Sequence, residues 1–87
     1  MRGPVRLAWD GSASFYNVQL FRRGVKVLSA WPGGESLLIR QSWRYDGKNY
    51  RLEPGPYRWY VWGAGGTRAK PKYGKPLGTN TFVVKRR

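Results

Sequence analysis

The chain has 87 residues, which is room for one domain and not for two, and with 40% hydrophobic and 16% aromatic residues it can build a dense core; this composition argues against disorder. It contains no cysteine and no histidine, which excludes disulfides, thiolate metal sites and a Ser-His catalytic pair. Seventeen Lys and Arg against four Asp and Glu leave a formal net charge of +13, so nucleic acid, anionic cell-wall polymer and acidic lipid are the partners that electrostatics favours.

Strand signals recur from the start. Val5, Leu7 and Trp9 alternate with Arg6 and Ala8, and Asp10-Gly11-Ser12 ends the run as a turn. Phe15 to Phe21 follows, with Tyr16, Val18 and Leu20 on one face and Asn17 and Gln19 on the other. Arg22-Arg23-Gly24 predicts a tight reversal into Val25-Lys26-Val27-Leu28, the hairpin partner of that strand. Trp31-Pro32-Gly33-Gly34 closes it. Ser36 to Arg40 is a short strand, and Trp43 to Tyr50 carries Asp46-Gly47 between aromatic flanks, the signature of a small hairpin. Tyr57 to Trp62 is the most aromatic strand, with Tyr57, Trp59 and Val61 on one face and Arg58, Tyr60 and Trp62 on the other. Gly63 to Lys75 reads as a basic loop rich in Gly, Lys and Pro, and Thr79 to Lys85 as the last strand. Residues 85–87 read as a basic tail.

About six short strands divided by turn signals, with no crossover helices, predict an all-β antiparallel sandwich or small barrel. No apolar run approaches the roughly 20 residues that span a bilayer, so no membrane span is expected. The opening Met1-Arg2-Gly3-Pro4 is not a signal peptide, so the protein is cytoplasmic or a targeting segment lies outside this sequence. The lack of cysteine fits the cytosol or a secreted bacterial protein without disulfides.

Three motifs occur in order: the Trp9 strand, Tyr16-Asn17-Val18, and Leu52-Glu53-Pro54-Gly55-Pro56-Tyr57. Together they resemble the fibronectin type III domain, which carries a Trp in its second strand, Tyr-x-Val in its third and Leu-x-Pro-Gly-x-Tyr leading into its sixth. The resemblance covers roughly residues 5–84 and is nearest to modules of bacterial, actinobacterial-like surface or secreted proteins. It implies an immunoglobulin-like β-sandwich of two antiparallel sheets, with Trp9, Tyr16, Val18, Leu52, Tyr57 and Trp59 in the core. It also implies a tyrosine corner, in which the Tyr57 ring is buried and its hydroxyl satisfies an upstream backbone group. The family opens with a Pro-rich first strand for which this sequence leaves no residues. The resemblance therefore implies a truncated module, or an assembly in which strand addition or a second copy covers a bare sheet edge. Its implied role is a noncatalytic spacer or binding module in an extracellular or envelope protein.

The residues themselves give little support to catalysis. Asp10, Glu35, Asp46 and Glu53 each adjoin a Gly or Pro in a predicted turn, where acids commonly serve local hydrogen bonds. Gly63-Ala64-Gly65-Gly66-Thr67 lacks the Gly-Lys-Ser/Thr and following helix of a phosphate loop. No catalytic, metal or cofactor residue is assigned, and no cofactor is expected. The candidate partner-binding residues are Gln19, Phe21, Arg22, Arg58, Tyr60 and Trp62 around an outward sheet face, with Arg68, Lys70, Lys72 and Tyr73 on the basic stretch. Rings of this kind stack on sugars, bases or apolar side chains, while Arg and Gln supply directional hydrogen bonds. The alternative role for the face is to stabilise the sheet through cross-strand pairs. Two partners fit the face: a protein surface, or an anionic polymer bound without sequence readout. A basic β-domain that binds nucleic acid through the same groups and the arginines at 22, 23 and 58 is the competing function. Trp31 and Trp43, beside turns, are expected to plug the two ends of the domain.

Overall fold

Side chains that alternate along an extended chain leave it on opposite faces, so the apolar sets at Tyr16–Leu20 and Tyr57–Val61 demand a common cover. A computed structural model describes residues 4–66 and 71–84, with side chains over 4–65 and 76–84. Eight strands form: β1 (Val5–Ala8), β2 (Phe15–Arg22), β3 (Val25–Ala30), β4 (Ser36–Ile39), β5 (Ser42–Tyr45), β6 (Lys48–Arg51), β7 (Gly55–Gly66) and β8 (Pro71–Val84). The described residues are all-β, and every pairing is antiparallel. One sheet has the order β3-β2-β7-β8, a second is the pair β1-β4, and β5-β6 is a separate hairpin.

The core lies between the first two sheets. β1 and β4 contribute Leu7 and Ile39; the four-stranded sheet contributes Tyr16, Val18, Leu20, Val27, Tyr57, Trp59, Val61 and Val84, and Leu52 joins them from the approach to β7. Trp9 follows β1 rather than ending it, and continues the pairing through its N–H to the Glu35 carbonyl at 3.0 Å. Its indole packs edge-on against Tyr16 at 5.4 Å and against Trp59 at 6.2 Å.

Two-residue turns set the hairpins. Arg23 and Gly24 have φ of 54° and 78°, and Asp46 and Gly47 have 52° and 76°. Positive φ at both central positions defines the type I′ turn, whose twist matches that of paired strands. The stretch from Gly63 to Lys75, expected as a loop, is instead largely the continuation of β7 and β8, paired as far as Gly66 with Pro71. Its glycines and prolines disfavour strand in isolation, but pairing with a neighbour already in place overrides that preference. Register shifts near Trp62 absorb the irregularity, and β8 lies at the sheet edge, where prolines are tolerated.

Two tyrosines tie loops to this core. The Tyr57 hydroxyl accepts the N–H of Glu53 at 2.9 Å, and the Tyr16 hydroxyl accepts the N–H of Ala13 at 3.0 Å. The Tyr57 ring stacks on Phe82 at 5.1 Å. Gly11 leaves room for the other strut: a Cβ there would stand 2.8 Å from the Tyr16 hydroxyl oxygen. Trp43, on the β5-β6 hairpin, donates its indole N–H to the Val27 carbonyl at 2.8 Å and stacks on Tyr50, so it closes one end of the interior as expected. Trp31 is 49% exposed, so it is not the buried plug expected of it.

Tyr57→Phe leaves the Glu53 N–H without its acceptor and should cost about 1–3 kcal/mol, read as a lower urea midpoint at unchanged slope. Gly11→Ala should cost about 1–3 kcal/mol by overpacking, and less in a Tyr16→Phe background, where the nearest clashing atom is gone.

Candidate binding face

The register of the four-stranded sheet aligns the outward residues into rows. Asn17 lies opposite Trp62 and Trp62 opposite Pro76; Gln19 opposite Tyr60 and Tyr60 opposite Thr79; Phe21 opposite Arg58 and Arg58 opposite Thr81. On the β3 side, Ser29 adjoins Gln19 and Lys26 adjoins Phe21. Gln19, Phe21, Arg58, Tyr60 and Trp62 therefore share one face, away from the core.

The groups on that face interact first with one another. Phe21 meets Tyr60 edge-on at 5.6 Å, and Tyr60 stacks on Trp62 at 5.9 Å with 23° between planes. The Gln19 side-chain amide donates to Asn17 Oδ1 at 2.8 Å, and Asn17 Nδ2 donates to Ser29 Oγ and to the Ala30 carbonyl. Asn17, expected on the open surface, is buried by this arrangement. Its amide fixes Gln19 and β3, which orders the face from beneath.

Beside the rings runs a groove of about 620 Å³, lined among others by Phe21, Arg23, Arg58, Tyr60, Trp62 and Pro76. Among the described residues, no carboxylate lines it beside its two guanidinium groups. Sequence reasoning missed Pro56, Pro76 and Thr81 in its walls; only the β7-β8 register brings them there.

Arg22 does not join the face. It donates to the Pro54 carbonyl at 3.3 Å and lies over the Tyr57 ring at 5.8 Å, so its role is to support the loop ahead of β7. Arg68 and Lys70 lie outside the described residues. Lys72 and Tyr73 pair through their backbones with Gly65 and Ala64, which extends the same sheet.

The acids serve local roles. The Glu35 carboxylate accepts the Gly11 N–H at 3.1 Å, Asp46 occupies a turn, and Glu53 pairs with Arg51 at 3.7 Å. Among the described residues, no three acids come together in a group that could hold a metal ion. No helix among them is long and apolar enough to cross a membrane.

Comparison of the chain with protein-family models, with curated proteins and with solved structures gave no match.

The two type I′ turns separate function from stability at one position. Asp46 is a residue that tolerates positive φ, whereas Arg23, which lines the groove, is not. Arg23→Asn should therefore raise stability by about 0.5–1 kcal/mol while weakening the attraction of the face for anions, measured by urea unfolding and by a polyanion titration on the same sample.

Proposed function

We propose that the chain is a noncatalytic interaction or spacer module of the fibronectin type III-like β-sandwich kind, from a bacterial extracellular or envelope protein, and that it meets its partner with the outer face of the β3-β2-β7-β8 sheet. The observation that carries the binding role is the in-register set of Phe21, Arg58, Tyr60 and Trp62 beside a groove free of acids. The sheet holds these side chains in place before any partner arrives, which lowers the ordering cost of association. The fold reading is supported by a four-stranded sheet opposed by the β1-β4 pair, by Trp9 packed on Tyr16 and Trp59, and by the Tyr57 hydroxyl bound to an upstream N–H. The compartment rests on the sequence resemblance alone.

A second reading, a basic domain for nucleic acid or another anionic polymer, is favoured by one observation. Arg23 and Arg58 flank the rings without a neutralising carboxylate, in a chain of net charge +13. Phosphate contacts of this kind give affinity that falls steeply with salt.

Titration with single-stranded DNA, double-stranded DNA and a polyuronate at two salt concentrations separates the readings. The interaction module should bind all three alike and weakly, lose them as salt rises, and show a salt slope smaller by about 1 in Arg58→Ala. Sub-micromolar binding of DNA near physiological salt, with the polyuronate left behind, would replace this reading with the nucleic-acid one.

A further inference from the structure

The β5-β6 hairpin is a sheet of its own, tied to β3 by the indole N–H of Trp43, which donates to the Val27 carbonyl at 2.8 Å. A cleft of about 600 Å³ opens where the hairpin meets the β2-β3 turn, within the roughly 300–1,000 Å³ of small-ligand sites. Arg23 and Tyr57 line both this cleft and the outer-face groove; the other walls differ. Val27 and Tyr57 are already buried beneath it. The apolar groups that stay open are Val25, 61% exposed, and the half-buried rings of Trp43 and Tyr50. Those rings lie opposite one another in register and stack at 5.9 Å with 17° between planes. The bond from Trp43 to β3 fixes their orientation before any ligand arrives.

The rim of the cleft is cationic in its own right. Among the described residues, the guanidinium groups of Arg22, Arg23 and Arg51 line it against one carboxylate, that of Glu53, a local excess of two positive charges. Arg22 is bonded to the Pro54 carbonyl and laid over the Tyr57 ring, both of which leave its charge unneutralised. The Arg51–Glu53 contact is long, at 3.7 Å, and open to water, with the two side chains 79% and 39% exposed, so it holds Arg51 weakly. Arg23 lines the cleft from a turn position with φ of 54°, which Asn or Gly adopts at lower cost. Strain retained at the rim of a site points to a use for the side chain that bears it.

We infer that this cleft binds a small planar organic anion, an aromatic ring that bears a carboxylate. The ring lies against Val25, Trp43 and Tyr50, where apolar burial and stacking hold it. The carboxylate meets the guanidinium groups of Arg23 and Arg51, whose planar forks offer it paired hydrogen bonds. A sugar acid suits the site less, because its hydroxyls need partners and the neutral polar side chains that line the cleft are Ser42 and Asn49. A cationic ring meets the charge excess at the rim. The walls that carry this inference are not those of the outer face, so it does not depend on that face's role.

The test titrates the ¹⁵N-labelled chain with three probes: naphthoate, naphthylmethylammonium with the same ring and the opposite charge, and acetate with the charge and no ring. Naphthoate should saturably shift the amide resonances of Val25 and Arg51 and the indole resonance of Trp43. The other two probes should bind about tenfold or more weakly. Val25→Glu sets an acid in the cleft at a position already 61% exposed, so the domain stays folded, and should weaken naphthoate about tenfold. Glu53→Gln removes the competing carboxylate and keeps the backbone bond to Tyr57; it should tighten naphthoate about threefold. Arg51→Ala should weaken it about fivefold, whereas Arg40→Ala, an equal loss of charge at an exposed residue outside the cleft, should change it less than about twofold. Any of four results overturns the inference: no saturable shift, equal binding of the cationic ring, shifts confined to the Phe21, Tyr60 and Trp62 face, or an Arg40→Ala effect as large as that of Arg51→Ala. The last would assign the attraction to the field of the whole chain and not to this site.

Discussion

The hydrogen bond from the Glu53 N–H to the Tyr57 hydroxyl is the constraint on which the upper architecture depends. A tyrosine can lie deep in a core only if its hydroxyl finds a partner, and here the partner is the chain just before β7. That bond fixes where β7 begins. From this start the alternation of β7 follows, with Trp59 and Val61 turned to the interior and Arg58, Tyr60 and Trp62 turned out. Arg22 reinforces the same point, bonded to Pro54 and laid over the ring. One buried hydroxyl thus connects the order of the core to the composition of the outer face.

That face has a structural role, beside the recognition role proposed for it. Its rings stack on one another and its amides are tied to β3, so the surface is already ordered. What these internal contacts leave unsatisfied is charge, because Arg23 and Arg58 meet no acid in the groove. In the proposed recognition role the rings would supply shape and the guanidinium groups attraction. Arg23 also holds a backbone conformation that Asn or Gly adopts more readily, a local cost borne at a position that lines the groove.

Much of this was legible in the sequence because it is encoded locally. Alternation in β2 and β7 assigned their faces correctly, and Arg23-Gly24 and Asp46-Gly47 marked both tight turns, since a type I′ turn depends on its two central residues. The Leu52 to Tyr57 motif announced the buried ring and its upstream bond. The extension of β7 and β8 past Trp62 was not legible, because its glycines and prolines speak for a loop and only pairing across the hairpin makes it a sheet. Trp31 and Trp43 look alike beside their turns; they differ in burial, since Trp43 reaches in to the Val27 carbonyl on β3 while Trp31 stays 49% exposed. Arg22 was grouped with the partner-binding residues of the outward face, but its inward parity carries it to the Tyr57 ring. The unequal widths of the two sheets, four strands and two, are recorded by no local pattern.

The connectivity also has a mechanical meaning. Among the described residues, β1 is bonded only to β4, and β8 only to β7, so these two strands share no ladder. Tension applied between Val5 and Val84 must cross from one layer to the other through interdigitated side chains such as Leu7 and Trp59, which resist sliding far less than a row of hydrogen bonds in shear. A domain wired this way carries load between its two layers through the packed core and not through a shared ladder, so its resistance to pulling is set by the side chains at that seam.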